Sequence, residues 1–195
     1  MPSHALIDWH TVSLARLAEL EAVHAQATGS ARGRRWGTTQ LNRSLFVVLV
    51  AQFQGYCRRL HDQAVDVHIA AAVPGQQALL RALLTQGRKL DNQNPRRDAL
   101  GSDFGRLGFR LIDGLKAAAG SAASDLDALE NLIDFRNAIG HGDEARIAAI
   151  EALGQIKATK RSYQQFRRTI DRLAGTMDQV VATKLAAVLG ITHPW

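Results

Sequence analysis

Apolar side chains recur at three- and four-residue steps along most of this 195-residue chain, and that spacing commits it to helices more firmly than any other feature. Between residues 162 and 190, Phe166, Ile170, Leu173, Met177, Val180 and Val181 alternate the two steps in heptad fashion. This predicts a long helix that packs lengthwise on neighbours or on a partner chain. Leu41, Leu45, Val48, Phe53, Tyr56 and Leu60 predict another, starting at Thr39 as candidate N-cap and reaching about Ala72, ahead of Pro74. Aromatic residues make up only 6% of the chain while alanine and leucine recur throughout, which favours helices over a sheet-built core. The expected fold class is all-α, an up-and-down helical bundle with an extra N-terminal helix and a long C-terminal helix.

The remaining elements follow from punctuation. A first helix is predicted over about residues 8–27, with Leu14, Leu17, Leu20 and Val23 as its stripe, and "TGSARGRRWG" breaks it as an exposed basic loop. "PGQQALLRALLTQG" predicts a short helix with Pro74 at its start and Gly87 at its end. "KLDNQNPRRDALGSDFG" is the longest predicted loop, and a helix from Phe104 to Ala119 with Leu107, Leu111 and Leu115 follows it. Ser124 with Asp127 resembles a capping box for the next helix, which stops near Gly140, and a short helix spans about Glu144 to Leu153. The domain reading is 1–37 for the N-terminal helix and basic loop, and 38–195 for the main helical domain.

The formal net charge is +6 and the isoelectric point about 10.1, carried mostly by arginine, whose planar fork suits phosphate. The charge fits a polyanionic partner such as RNA but does not by itself establish one. The single Cys57 forms no intramolecular disulfide, and "MPSHALIDWH" lacks the basic and long apolar regions of a secretory signal, so a cytoplasmic location is expected. "LFVVLVAQF" falls short of the ~18 to 20 apolar residues a membrane span needs and predicts a buried helix, with no membrane partner.

Several chemical constellations fail on spacing. Cys57, His61 and His68 lie at i, i+4 and i+11 without a fourth ligand or a zinc-type spacing, so neither a metal nor another cofactor is expected. Asp62 and Asp66, one turn from Arg58 and Arg59, read as a solvated charged face. No short helix-turn-helix with a basic recognition helix is evident, which ranks DNA binding last.

"DFRNAIGHG", residues 134–142, is different, because it sets Arg136, Asn137 and His141 beside two glycines at a helix end. Histidine exchanges protons near neutral pH, and arginine holds two phosphate oxygens as charge builds, which together suffice to cleave RNA through its 2′-hydroxyl. At ~100° per residue, an i, i+5 pair on one straight helix diverges by ~140°. Either the helix ends between Arg136 and His141, through positive φ at Gly140 and Gly142, or a second copy of the chain completes the site.

"RNAIGHG" resembles the R-x4-6-H motif of the HEPN superfamily, in which a polar residue, here Asn137, follows the arginine. The R-x4-6-H spacing occurs once in the chain. More loosely, "LVAQFQGYCRRLHDQA" with "LIDFRNAIGHG" is similar to the helix pair at the centre of HEPN domains in defence-associated branches. The resemblance implies an all-α HEPN-like domain over 38–195 and a homodimer with its cleft between protomers. It further implies a metal-independent RNA endonuclease, of toxin or antiviral-defence type, for which an antitoxin or inhibitor protein is a natural partner. In that reading Arg136 stabilises the phosphorane, His141 is general acid or base, and Asn137 orients the phosphate or the histidine. Arg34, Arg35, Arg58 and Arg59 are the candidate RNA-backbone contacts. The alternative is a non-catalytic helical dimerisation or partner-binding protein that uses the face from Phe166 to Val181.

Overall fold

A computed structural model describes residues 1–28, 38–118 and 120–195. Helices α1 (His4–Asp8) and α2 (Leu14–Thr28) are joined by a π-helical turn, Trp9–Ser13, so one helical run begins four residues earlier than predicted. The buried Ser3 starts it: its hydroxyl accepts from Leu6 N–H, while its own N–H donates to the Asp178 carboxylate. The wider π turn shifts the phase of the apolar stripe, so Leu17 is buried while Val23 faces outward.

Helix α3 (Thr38–Ala70) is the spine, packed against α1, α2, α4 (Gln77–Thr85), α7 (Ala122–Gly140) and α9 (Lys160–Leu189). Thr39 lies inside this helix rather than at its cap. Phe46 sits edge-on to Phe135 at 5.2 Å, Tyr163 at 5.9 Å and Phe166 at 6.3 Å, which ties α3, α7 and α9 together. Trp9 packs on Phe53 and Tyr56, and the Tyr56 hydroxyl donates to the Ala174 carbonyl at 2.8 Å. The N-terminal helices therefore share the core of the bundle. Ile170, Leu173, Met177 and Val181 of α9 are fully buried against the chain's own helices, so the heptad-like spacing is satisfied from within.

The stretch predicted as a long loop holds a 3-10 turn, Lys89–Asp91, and helix α5 (Arg97–Gly105). Asp103 stabilises this region, since its buried carboxylate accepts from the N–H groups of Lys89 (3.0 Å) and Leu90 (2.8 Å). The helix predicted over 104–119 is instead the end of α5 followed by α6 (Leu111–Ala117), separated at Gly108, whose φ of +84° no helix accommodates. Leu107, Leu111 and Leu115 are buried all the same. At Gly114 α6 lies close against α9: a Cβ there would stand 2.7 Å from Val180 Cγ1.

Helix α7 begins at Ala122 rather than at Ser124, whose hydroxyl donates back to the Ser121 carbonyl instead of capping. Helix α4 begins at Gln77, with Pro74 in the preceding turn, and α8 spans Glu144–Ala152. No helix among the described residues is long and apolar enough to cross a membrane.

Candidate functional site

Leu126, Leu129, Leu132, Ile133, Phe135 and Ala138 form the buried face of α7, which turns Arg136 and Asn137 half outward. The helix ends in a Schellman motif. Gly142 adopts φ +65° and donates to the Ile139 carbonyl at 3.1 Å, and Asp143 N–H reaches the Ala138 carbonyl at 2.9 Å. Gly142 alone supplies the positive φ; Gly140 is the last helical residue. Asp143 at once caps α8, its side chain accepting from Arg146 N–H at 2.9 Å. His141, at the outer edge of this corner, is exposed.

The helix thus ends after Arg136 and before the chain turns, and length solves the rest of the angular problem. The Arg136 guanidinium extends along the helix until Nη1 lies 3.9 Å from where a Cβ on Gly140 would stand, next to His141. Its Nη1 donates to Asn137 Oδ1 at 3.2 Å. Asn137 and His141 are one turn apart on the same side. All three line an open cleft of about 470 Å³.

The opposite wall comes from elsewhere in the chain. Gln54 on α3, the Asn92–Gln93–Asn94 loop, Arg96 and Asp98 line the same cleft, Asp98 being paired with Lys89 at 3.4 Å. Asn94 Nδ2 donates to Asn137 Oδ1 at 2.9 Å, so one amide oxygen receives both Asn94 and Arg136. Gln54 Nε2 donates to the carbonyls of Leu90 (3.0 Å) and Gln93 (2.8 Å), which holds the loop against α3. Arg96 binds Glu130 at 2.9 Å and Asp134, and Arg97 N–H binds Glu130 at 2.8 Å, which joins the start of α5 to α7.

These contacts decide the electrostatics. Asp134 is engaged by Arg96 and, at 3.9 Å, by Arg146, so it does not neutralise Arg136. Among the described residues, Arg136 has no carboxylate partner and the His141 ring has no hydrogen bond. A guanidinium with unused donors and an unbonded imidazole lining the same cleft suit an anion that also exchanges a proton. Among the described residues the lining carries no aromatic and no aliphatic side chain, which suits a charged, polar ligand better than an apolar one.

Of the other predicted contacts, Arg34 and Arg35 lie outside the described residues. Arg58 pairs with Asp91 at 3.2 Å and Arg59 with Asp8 at 3.8 Å, and neither lines the cleft. Gln54, Asn94 and Arg96 escaped the sequence reading. The asparagine-rich loop marked only a helix-poor stretch, and nothing local ties it to a residue 43 positions away.

The remaining candidate cluster is built into the fold. His61 Nε2 donates to the Asp103 carbonyl at 3.0 Å, and its Nδ1 accepts from Arg88 Nη1 at 3.2 Å. Burial lowers its pKa below the ordinary histidine value, and the Arg88 charge acts in the same direction. His68 donates to the Leu107 carbonyl at 3.1 Å, and burial lowers its pKa too. Cys57 is fully buried, which pushes its thiol pKa well up. Asp62 and Asp66 are ion-paired, with Arg88 and Arg81.

No family model matches the chain, and neither a curated protein nor a solved structure is significantly similar to it.

Proposed function

We propose that this chain is a metal-independent RNA endonuclease of HEPN type, working as a toxin or defence effector. The reading is supported by one observation above the rest: Arg136, Asn137 and His141 line one cleft in which, among the described residues, no carboxylate pairs with the guanidinium. In the reaction the ribose 2′-oxygen attacks phosphorus, the P–O5′ bond breaks, and a 2′,3′-cyclic phosphate and a 5′-hydroxyl result. Arg136 holds the non-bridging oxygens, where its forked donors meet the charge of the phosphorane. Asn137, fixed by Asn94, holds the guanidinium in place through its amide oxygen and keeps its amide nitrogen for the phosphate.

The chemistry needs one proton removed from the 2′-hydroxyl and one delivered to the departing oxygen. A single His141 in the cleft does one of these at a time. We infer a two-fold homodimer in which His141 of one protomer is base and the partner's His141 is acid. The position of His141 on an exposed corner, rather than inside the bundle, leaves it free for such an arrangement.

The test uses end-labelled single-stranded RNA in the presence of a chelator. Wild-type protein is expected to release cyclic-phosphate ends, and His141→Ala to release none. Equal cleavage by His141→Ala, or cleavage only with magnesium, overturns the mechanism. Co-expression of wild type against the Arg136→Ala, His141→Ala double variant, scored for growth and RNA integrity, tests the toxin reading. The rival reading, a partner-binding module acting through Phe166 to Val181, is disfavoured because most of that face is already packed inside the bundle.

A further inference from the structure

The cleft has a lip whose backbone is held and whose side chains are unused. Backbone N–H groups of Asp91, Asn92 and Gln93 all donate within the 3-10 turn, to the carbonyls of Arg88 and Lys89. Gln54 holds the Leu90 and Gln93 carbonyls, and the Asp103 carboxylate holds the turn from beneath. Pro95 is buried, fixes its own φ and restricts the backbone of Asn94 before it. Yet the side-chain amides of Asn92 and Gln93 are exposed, line the cleft that holds Arg136 and His141, and have no hydrogen-bond partner among the described residues. Asn94, between them and α7, spends its amide on Asn137.

A carboxamide offers one acceptor and two donors in a plane, the complement of a nucleobase edge, and it matches adenine's adjacent donor and acceptor in a bidentate pair. Phosphate alone would be served better by cations, and Asp98 and Arg96 at the rim are already paired, with Lys89 and with Glu130 and Asp134. Among the described residues the lining holds no aromatic, which favours edge contacts over stacking as the means of recognising a base. Resting on the nuclease reading, we propose that the loop is the specificity lip of the cleft. Asn92 and Gln93 read the edge of an unpaired adenine beside the phosphate held by Arg136.

The experiment maps cleavage sites on a randomised single-stranded RNA with a chelator present, for wild type, His141→Ala, and an Asn92→Ala, Gln93→Ala double variant. Circular dichroism melting confirms that each variant folds. Wild type is expected to favour adenine at one fixed position next to the cut by about tenfold, the discrimination of one good bidentate contact. In the double variant the ratio of adenine to the other bases at that position falls to about one. Cleavage that depends on His141 but shows no adenine preference overturns the specificity lip alone. So does a preference that survives in the double variant. If wild type leaves RNA intact, or His141→Ala cuts as well as wild type, the nuclease reading fails and the lip fails with it.

Discussion

Two arginine–histidine pairs stand in this molecule with opposite fates. In the first, Arg88 is buried against His61, and its guanidinium also reaches Asp62 at 2.5 Å and Asp91 at 2.8 Å, so donors and acceptors are matched. In the second, among the described residues, Arg136 meets only the Asn137 amide and His141 stands unbonded at a helix corner. The residue types are the same and the difference is saturation. A polar group whose partners are all present holds structure, while one left with spare donors at an accessible surface is available for a ligand.

Mutation sharpens this contrast most at the open pair. Arg136→Ala with His141→Ala is expected to lower RNA cleavage by at least ~10³-fold. Its unfolding free energy in urea should stay within about 0.5 kcal/mol of wild type, because neither side chain supports the core. A marked loss of stability would place the open pair with the structural one. Next comes Arg88→Met, expected to cost about 2–3 kcal/mol in urea unfolding, since Asp62, Asp91 and His61 lose their shared donor. A silent Arg88→Met would erase the contrast from the other side.

Smaller effects probe what supports the open pair. Asn94→Ala removes the bond that orients Asn137, and about a tenfold loss in kcat/KM is expected with less than ~1.5 kcal/mol lost in stability. Gly142→Ala strains the left-handed cap and is expected to cost about 1 kcal/mol, with reduced cleavage because His141 sits on that turn. The smallest effect is one of slope with pH. Burial lowers the folded-state pKa of His61, so its contribution is complete above the ordinary histidine value of ~6.5. Below that pH the unfolded chain takes up a proton that the folded chain refuses, and stability falls until the lowered folded value is reached. Urea midpoints at pH 7.5, 6.5 and 5.5 should therefore decline more steeply for wild type than for His61→Gln. His68 adds a decline of the same sign to both proteins.

Much of the bundle is legible in the sequence. The stripe from Leu41 to Leu60 became α3, and Glu144–Ala152 and Lys160–Leu189 appear within a few residues of where the pattern placed them. The failures sit where local rules compete. Leu107, Leu111 and Leu115 keep a helical period across a break, because Gly108 turns the backbone while burial still claims all three leucines. Ser124 had the spacing of a cap, but the helix was already under way at Ala122. The Trp9–Ser13 turn inserts an extra residue into a helix, a phase shift that no stripe of leucines announces.

By itself the sequence determined that the chain is helical, that a helix stops near Gly140, and that Arg136, Asn137 and His141 sit around its end, since periodicity and helix-ending glycines act over a few neighbouring residues. Only the tertiary structure decided that Asn94 crosses to Asn137, that Arg96 rather than Arg136 takes Asp134, and that the heptad-like face of α9 is used internally. The physical reason is range. A local period tells which side of a helix is apolar, whereas the partner of a polar group depends on which distant loop the packed helices bring across it.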